Sequence, residues 1–182
     1  MDLSTLVEPS AMRSAGLMAS ELIAAEPWRA VTALTLHADH SHLAANAAAL
    51  GAFGLMLSRR TGLGVTVFVA VAGGALGNAL NAWVLAPSSH WVGASTAVFA
   101  VLGAACAAFR SALMLVAAIA FVVLSHAANV DSGAHALGLF AGLMMGLALR
   151  SDDDEPKGAG IQLSAASATV AAVAACWSLA LG

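Results

Sequence analysis

Six long apolar stretches, separated by short polar breaks, set the pattern of this chain. They cover about 40–58, 63–85, 93–110, 111–127, 133–149 and 161–181. Most come near the ~20 residues that a helix needs to cross the hydrocarbon of a bilayer. The runs are continuous, without the two-residue alternation of half-buried strands, and an open sheet cannot sit in lipid. The pattern predicts an all-α, polytopic membrane bundle of about six transmembrane helices. The 111–127 stretch is short and joins its predecessor at Arg110-Ser111. Upstream, residues 11–25 contain Arg13 and Glu21; this segment is too short and too charged to span and reads as an interfacial helix or loop. No basic segment followed by an apolar core marks a signal peptide.

Composition agrees with the pattern. Hydrophobic residues make up 60% of the chain, charged residues 9%, and the mean hydropathy is +0.88. Seven Lys/Arg with ten Asp/Glu cannot cover a soluble domain of 182 residues. The net charge of −3 and the lack of any basic run exclude nucleic acid as a partner. Cys106 and Cys176 lie in apolar stretches without CxxC spacing and read as small core hydrophobes. Arg59, Arg60, Arg110, Arg150 and Lys157 fall in alternate loops, which the positive-inside rule assigns to the cytoplasm. The acidic run Asp152-Asp153-Asp154-Glu155 reads as a solvated linker on that side. Four parts follow: an N-terminal segment (1–27), a helix bundle (28–149), an acidic linker (150–160) and an additional C-terminal helix (161–182).

The chemistry lies in four polar positions that share one depth. Ser95 precedes Arg110 by 15 residues, and His135 precedes Arg150 by 15. At about 1.5 Å per helical residue, both lie about 22 Å from the same border. His42 and Asn46 precede Arg59 by 17 and 13 residues, about 25 and 20 Å from it. A nucleophile, a base and two hydrogen-bond donors at one level have the layout of a serine hydrolase. His135 heads a stripe of Gly138, Gly142 and Gly146, while Phe99 and Gly103 continue the face of Ser95. Small-residue faces let membrane helices approach closely, as a hydrogen bond between Ser95 and His135 requires.

Blander readings compete. A serine or a small-residue stripe in a membrane helix usually serves packing, whereas a histidine in the hydrocarbon is costly and functional by default. His37, Asp39, His40 and His42 raise a metal site, but His37 and His40 are three apart and His40 and His42 point to different faces. His42 and Asn46 are four apart and share a face, which suits two donors aimed at an oxyanion beside the Ser95 N–H. Asn78 and Asn81 read as interhelical hydrogen-bond formers. His90 and His126 read as exposed or capping residues, and His37, Asp39 and His40 as lining a polar opening for water.

These residues resemble the rhomboid family of intramembrane serine proteases over about 28–149. The matching pieces, in family order, are Trp28-Arg29; His37-x4-His42-x3-Asn46 on the next helix; Gly93-x-Ser95 with Phe99 and Gly103; and Ala134-His135-x2-Gly138-x3-Gly142. Each is weak alone, and the four in order are specific. The resemblance implies a Ser95–His135 dyad without an acidic third member, an oxyanion hole helped by His42 and Asn46, and Phe99 packed on the catalytic histidine. Thr96 stands where many members have glycine, which implies a narrower site. The family's first membrane helix has no visible counterpart before Trp28-Arg29, implying a shortened form or an upstream start, and the 161–181 helix is an addition.

The expected function is intramembrane serine endopeptidase activity on transmembrane segments of other proteins, near their outer ends. The expected setting is a multi-pass protein of the bacterial plasma membrane, with lipid and transmembrane substrates as partners and no metal or cofactor. The alternatives are a non-catalytic rhomboid-like protein that binds membrane helices, and a small transporter using the histidines as a proton or metal path.

Overall fold

The computed structural model describes residues 14–84, 89–127, 132–150 and 155–182, with the main chain only at 125–127. Arg13, the side chain of His126, and Asp152 to Asp154 lie outside the described residues. The elements are strand β1 (Met18–Ala19), helix α1 (Arg29–Thr32), α2 (His40–Thr61), α3 (Leu63–Val84), β2 (His90–Trp91), α4 (Ser95–Ala108), α5 (Ala112–Ala127), α6 (Ser132–Leu149) and α7 (Ala159–Leu181). Single 3₁₀ turns occupy Ser20–Leu22 and Ala33–Thr35.

Each of the six apolar stretches forms a helix, as expected of main chain whose polar groups must be satisfied internally. Among the described residues, α2, α3, α6 and α7 are long and apolar enough to cross a membrane. The other two are shorter. α4 has 14 residues and α5 has 16. α4 need not match the bilayer, because it runs through the middle of the bundle with all but its first and last turns' edges covered by neighbours: twelve of its residues are buried.

The ends of these helices have local causes. Asp39 caps α2, its carboxylate accepting from the His42 N–H at 2.8 Å, the usual role of an aspartate at this position. Arg59 and Arg60 in the last turn complement the helix dipole. Gly62, at φ +84°, turns the chain directly into α3 in the left-handed conformation that glycine adopts without penalty.

α3, α4 and α6 pack as a close trio. A Cβ on Gly142 would run into the Ala100 carbonyl, and one on Gly103 into that of Leu139. One on Gly146 would stand 2.7 Å from Ala104 Cα, and one on Gly77 2.7 Å from Gly138 Cα. In lipid, such main-chain contact supplies the dispersion energy that the hydrophobic effect cannot. Larger side chains fill in around this seam. Leu57, Val65, Val69, Val101, Ala104 and Ala105 form one buried cluster, and Phe99, Leu102, Cys106, Ala118 and Leu139 another.

Several contacts sort the two ends of the bundle. Arg60 lies 5.0 Å over the Phe109 ring, and the Lys157 N–H reaches the Thr61 carbonyl at 3.4 Å. The basic positions therefore gather at one end. At the other, β1 pairs antiparallel with β2, Met18 opposite Trp91 and Ala19 opposite His90. Strand was not expected in this chain; the ladder forms where the chain lies beyond the helices, so the lipid constraint does not reach it. The 11–25 segment, read as an interfacial helix or loop, is built of short pieces over its described part, helical at 14–16 and then β1 and the 20–22 turn, and is pinned from below. Arg29, itself buried, donates to the carbonyls of Ser14 and Leu17 at 3.1 and 2.8 Å and pairs with Glu26. The Thr32 hydroxyl donates to the Gly16 carbonyl at 2.7 Å.

Candidate active site

Ser95 is the first residue of α4. The turn before it is made by Gly93, at φ +131°, a conformation that L side chains rarely adopt. The position also lacks room, since a Cβ on Gly93 would stand 2.5 Å from His42 Cε1 and 3.5 Å from Asn46 Nδ2. One glycine thus brings the head of α2 against the head of α4. Across the seam, α6 carries His135 to Ser95: His135 Nε2 and Ser95 Oγ are 2.9 Å apart. The imidazole is buried and stacks on Phe99, with ring centroids 4.5 Å apart at 23°. Phe121 of α5 packs against Phe99 in turn, with ring centroids 5.2 Å apart at 30°.

These groups open on a cleft of about 470 Å³ lined by His42, Ala45, Asn46 and Ala49 of α2, Ser95, Val98 and Phe99 of α4, Phe121 and Leu124 of α5, and His135 of α6. The walls are apolar and the polar atoms are few and grouped, as in a binding site that orients its ligand through a small number of contacts. Asn46 is buried, and its Nδ2 has no hydrogen-bond partner. A buried amide left unpaired costs about 1–3 kcal/mol; here the donor belongs to a residue lining the cleft. Ser95 N–H, at the first position of α4, also has no intrahelical acceptor available to it.

The other sequence candidates fall elsewhere. His37 was expected on the same helix as His42, lining a water-filled opening. It precedes α2 instead, buried, with its Nε2 accepting from the Ala94 N–H at 3.4 Å. The helix cannot extend back to it because the Asp39 cap starts α2 at His40. The Ser41 hydroxyl, 2.6 Å away, and then the His42 N–H hold the Asp39 carboxyl below the usual carboxylate range. Among the described residues, no three His, Cys, Asp or Glu side chains converge as metal ligands would. Asn78 is an interhelical bridge: its amide donates to the Ala30 carbonyl at 3.0 Å and accepts from Trp91 Nε1 at 3.1 Å. His90 is exposed and pairs with Glu21 at 2.7 Å.

Thr96 does not narrow the cleft. It is buried and turned into the seam, where its methyl group would stand 2.8 Å from a Cβ on Gly77 and 2.9 Å from one on Gly138. Two glycines make the room that a glycine at 96 would otherwise supply. Phe121, Ala45 and Ala49 were missed in the sequence, since an aromatic or an alanine in an apolar run carries no signal of its own.

A family model for the Rhomboid domain matches residues 24–152, more than half of the chain and all of the cleft. The chain belongs to the rhomboid family. It is also 31% identical over 132 residues to the "Putative rhomboid protease YdcA" of Bacillus subtilis (strain 168). The match covers 66% of this chain and 66% of that relative. No solved structure matches. This rhomboid is a multi-pass membrane protein of a protease family, with a helical bundle as its fold. The helix 159–181 lies beyond the matched domain.

Proposed function

We propose that the protein is an intramembrane serine endopeptidase that cuts transmembrane segments of other membrane proteins with a Ser95–His135 dyad. The observation that carries this reading is the 2.9 Å contact of His135 Nε2 with Ser95 Oγ in a cleft that also holds the unpartnered Asn46 amide. With its proton on Nδ1, neutral His135 accepts the serine proton at Nε2 as Oγ attacks the scissile carbonyl. The negative charge then develops on the carbonyl oxygen. Asn46 Nδ2, the Ser95 N–H and the His42 ring are the donors for it. The intermediate collapses, His135 returns its proton to the leaving amine, and a water activated by the same imidazole releases the acyl group from Ser95. Phe99 holds the imidazole plane, so the base needs no carboxylate to orient it.

The substrate reaches the dyad between α2 and α5. Ala45 and Ala49 leave space there for main chain, and Phe121 and Leu124 supply apolar cover for side chains. A helix cannot offer its carbonyls to Ser95 while they are hydrogen-bonded within it, so the segment cut is one that unwinds easily. Ser95→Ala and His135→Ala should each abolish cleavage of a single-span test substrate and labelling by a fluorophosphonate, with insertion unchanged, because nucleophile and base act as a unit. Cleavage surviving in Ser95→Ala would sink the reading.

The setting we propose is a bacterial plasma membrane, with the end bearing Arg59, Arg60 and Arg110 in the cytoplasm and the cleft toward the outer face. A cysteine at Ser89 should react with an impermeant maleimide added outside intact cells, and one at Glu155 only after lysis. The opposite pattern would invert the orientation.

A further inference from the structure

Two main-chain N–H groups immediately precede the nucleophile, and one short segment holds both. The Gly93 N–H donates to the Ala33 carbonyl at 2.9 Å, and the Ala94 N–H to His37 Nε2 at 3.4 Å. Ala94 and His37 are both buried, at 8% and 5% exposure, so water does not stand in for either partner. A nitrogen that accepts carries no proton, which puts the ring proton of His37 on Nδ1; the Thr35 main chain also hydrogen-bonds this side chain. We propose that His37 is a positioning residue for the nucleophile turn, and that its protonation releases the turn and switches the site off at acid pH. The proposal rests on the protease reading of Ser95.

Protonated, His37 would present Nε2–H to the Ala94 N–H, donor against donor. The turn must then move, and Ser95 Oγ moves with it, away from His135 Nε2. A displacement of about 1 Å at a reacting group costs on the order of 100-fold in rate. The surroundings on balance oppose the charged ring, although the Thr35 main-chain hydrogen bond favours it. The His42 ring stands edge-on, 5.4 Å away at 73°. Asp39, at the head of α2, turns its carboxylate to Ser41 Oγ and the His42 N–H. The 33–36 segment and the 93–94 turn contribute no titratable group, and His135 of α6 lies beyond Ser95. Burial, and then the charge of His42, push the His37 imidazole below its usual range. The neutral ring is therefore the folded form at neutral pH. Because the folded state resists a proton that the unfolded state accepts, stability falls as pH drops below about 6.5 toward the depressed value.

The experiment is the rate of fluorophosphonate labelling of Ser95 in the full chain in detergent, from about pH 5 to about pH 8, with melting followed in parallel. In the wild type, the acid limb should exceed one proton, because protonation of His37 adds to the loss of the neutral base. His37→Gln keeps an acceptor for the Ala94 N–H but cannot titrate. It should label within about threefold of wild type at neutral pH, with a one-proton limb throughout. His37→Ala, folded by its melt, should label about 100-fold more slowly. A limb above one proton retained in His37→Gln, or wild-type labelling in His37→Ala, overturns the role of His37 alone. Should His37→Ala not fold, the slope in His37→Gln decides. Folded wild type that does not label at all overturns the protease reading and this role together.

Discussion

Helices α6 and α7 are both apolar and both long enough to span, yet they sit in the molecule in opposite ways. α6 has seven buried residues, three of them glycines whose missing side chains let it lie on the main chain of α4. α7 is the longer helix, and Thr169 is its one buried residue. It is held at two polar points. Near its start Gln162 reaches the α2–α3 corner, and near its end Trp177 Nε1 donates to Thr35 Oγ1 at 3.1 Å, with its ring against Gly16. Hydropathy says that both cross the membrane. Whether a crossing helix belongs to the core or to the periphery is decided by small residues at helical spacing, because lipid solvates leucine as well as another helix does.

The largest expected effect comes from filling the seam. Gly142→Leu puts a side chain where the Ala100 carbonyl lies, so α4 and α6 must separate and carry Ser95 away from His135. We expect labelling of Ser95 to fall by more than about 100-fold and stability by about 1–3 kcal/mol. Gly51→Ala is the control. Gly51 is exposed on α2 with no atom within 4 Å of an added Cβ, and this change should move the melting free energy by no more than about 0.5 kcal/mol. If the two glycines respond alike, the seam is not what distinguishes core from periphery.

The second test uses the polar groups. The Gln162 and Trp177 anchors of α7 are satisfied by the protein, whereas the Asn46 Nδ2 is buried with nothing to donate to. A donor kept in that state at a cleft has its use in the reaction. Asn46→Ala should lower kcat by roughly 10²–10³ with KM little changed, as when one oxyanion donor is lost. It should not lower the melting temperature, since no hydrogen bond of the folded protein is removed. A variant that melts early with normal kcat would make Asn46 a packing residue.

Much of this contrast was legible in the sequence, and the reasons are specific. Gly138, Gly142 and Gly146 recur on the His135 face, so the approach of α6 to the Ser95 helix followed from spacing alone. The start of α4 was not legible, because Gly93 and Ala94 continue the apolar run and only the positive φ of Gly93 breaks the helix. The family motif puts His37 on the helix of His42, although the apolar stretch begins only at about 40 and Asp39 is a capping residue in plain view. The β1–β2 pairing joins two residues with two across some 70 positions, too short for any periodicity. The place of α7 could not be read, since its face toward α3 carries no repeat. Its anchors are single residues.

The smallest effect expected concerns one of those anchors. Gln162 serves two helix ends with a single amide. Its Nε2 donates to the Thr61 carbonyl at the end of α2, at 2.6 Å, and to the Lys157 carbonyl at 3.1 Å. Its Oε1 accepts from the Val65 N–H in the first turn of α3, at 3.1 Å. Terminal groups of this kind have no partner within their own helices. The side chain also closes over Gly62, where a Cβ would collide with it. Gln162→Ala should therefore lower stability by about 1–2 kcal/mol, the part-buried corner regaining some hydrogen bonds from water. Below the melting temperature, Ser95 labelling should stay at the wild-type rate, because the corner lies at the arginine end and the dyad at the other. Labelling that falls together with stability would show that α7 acts on the site through α3 as well as bracing it, and the division between core and periphery would then be one of packing alone.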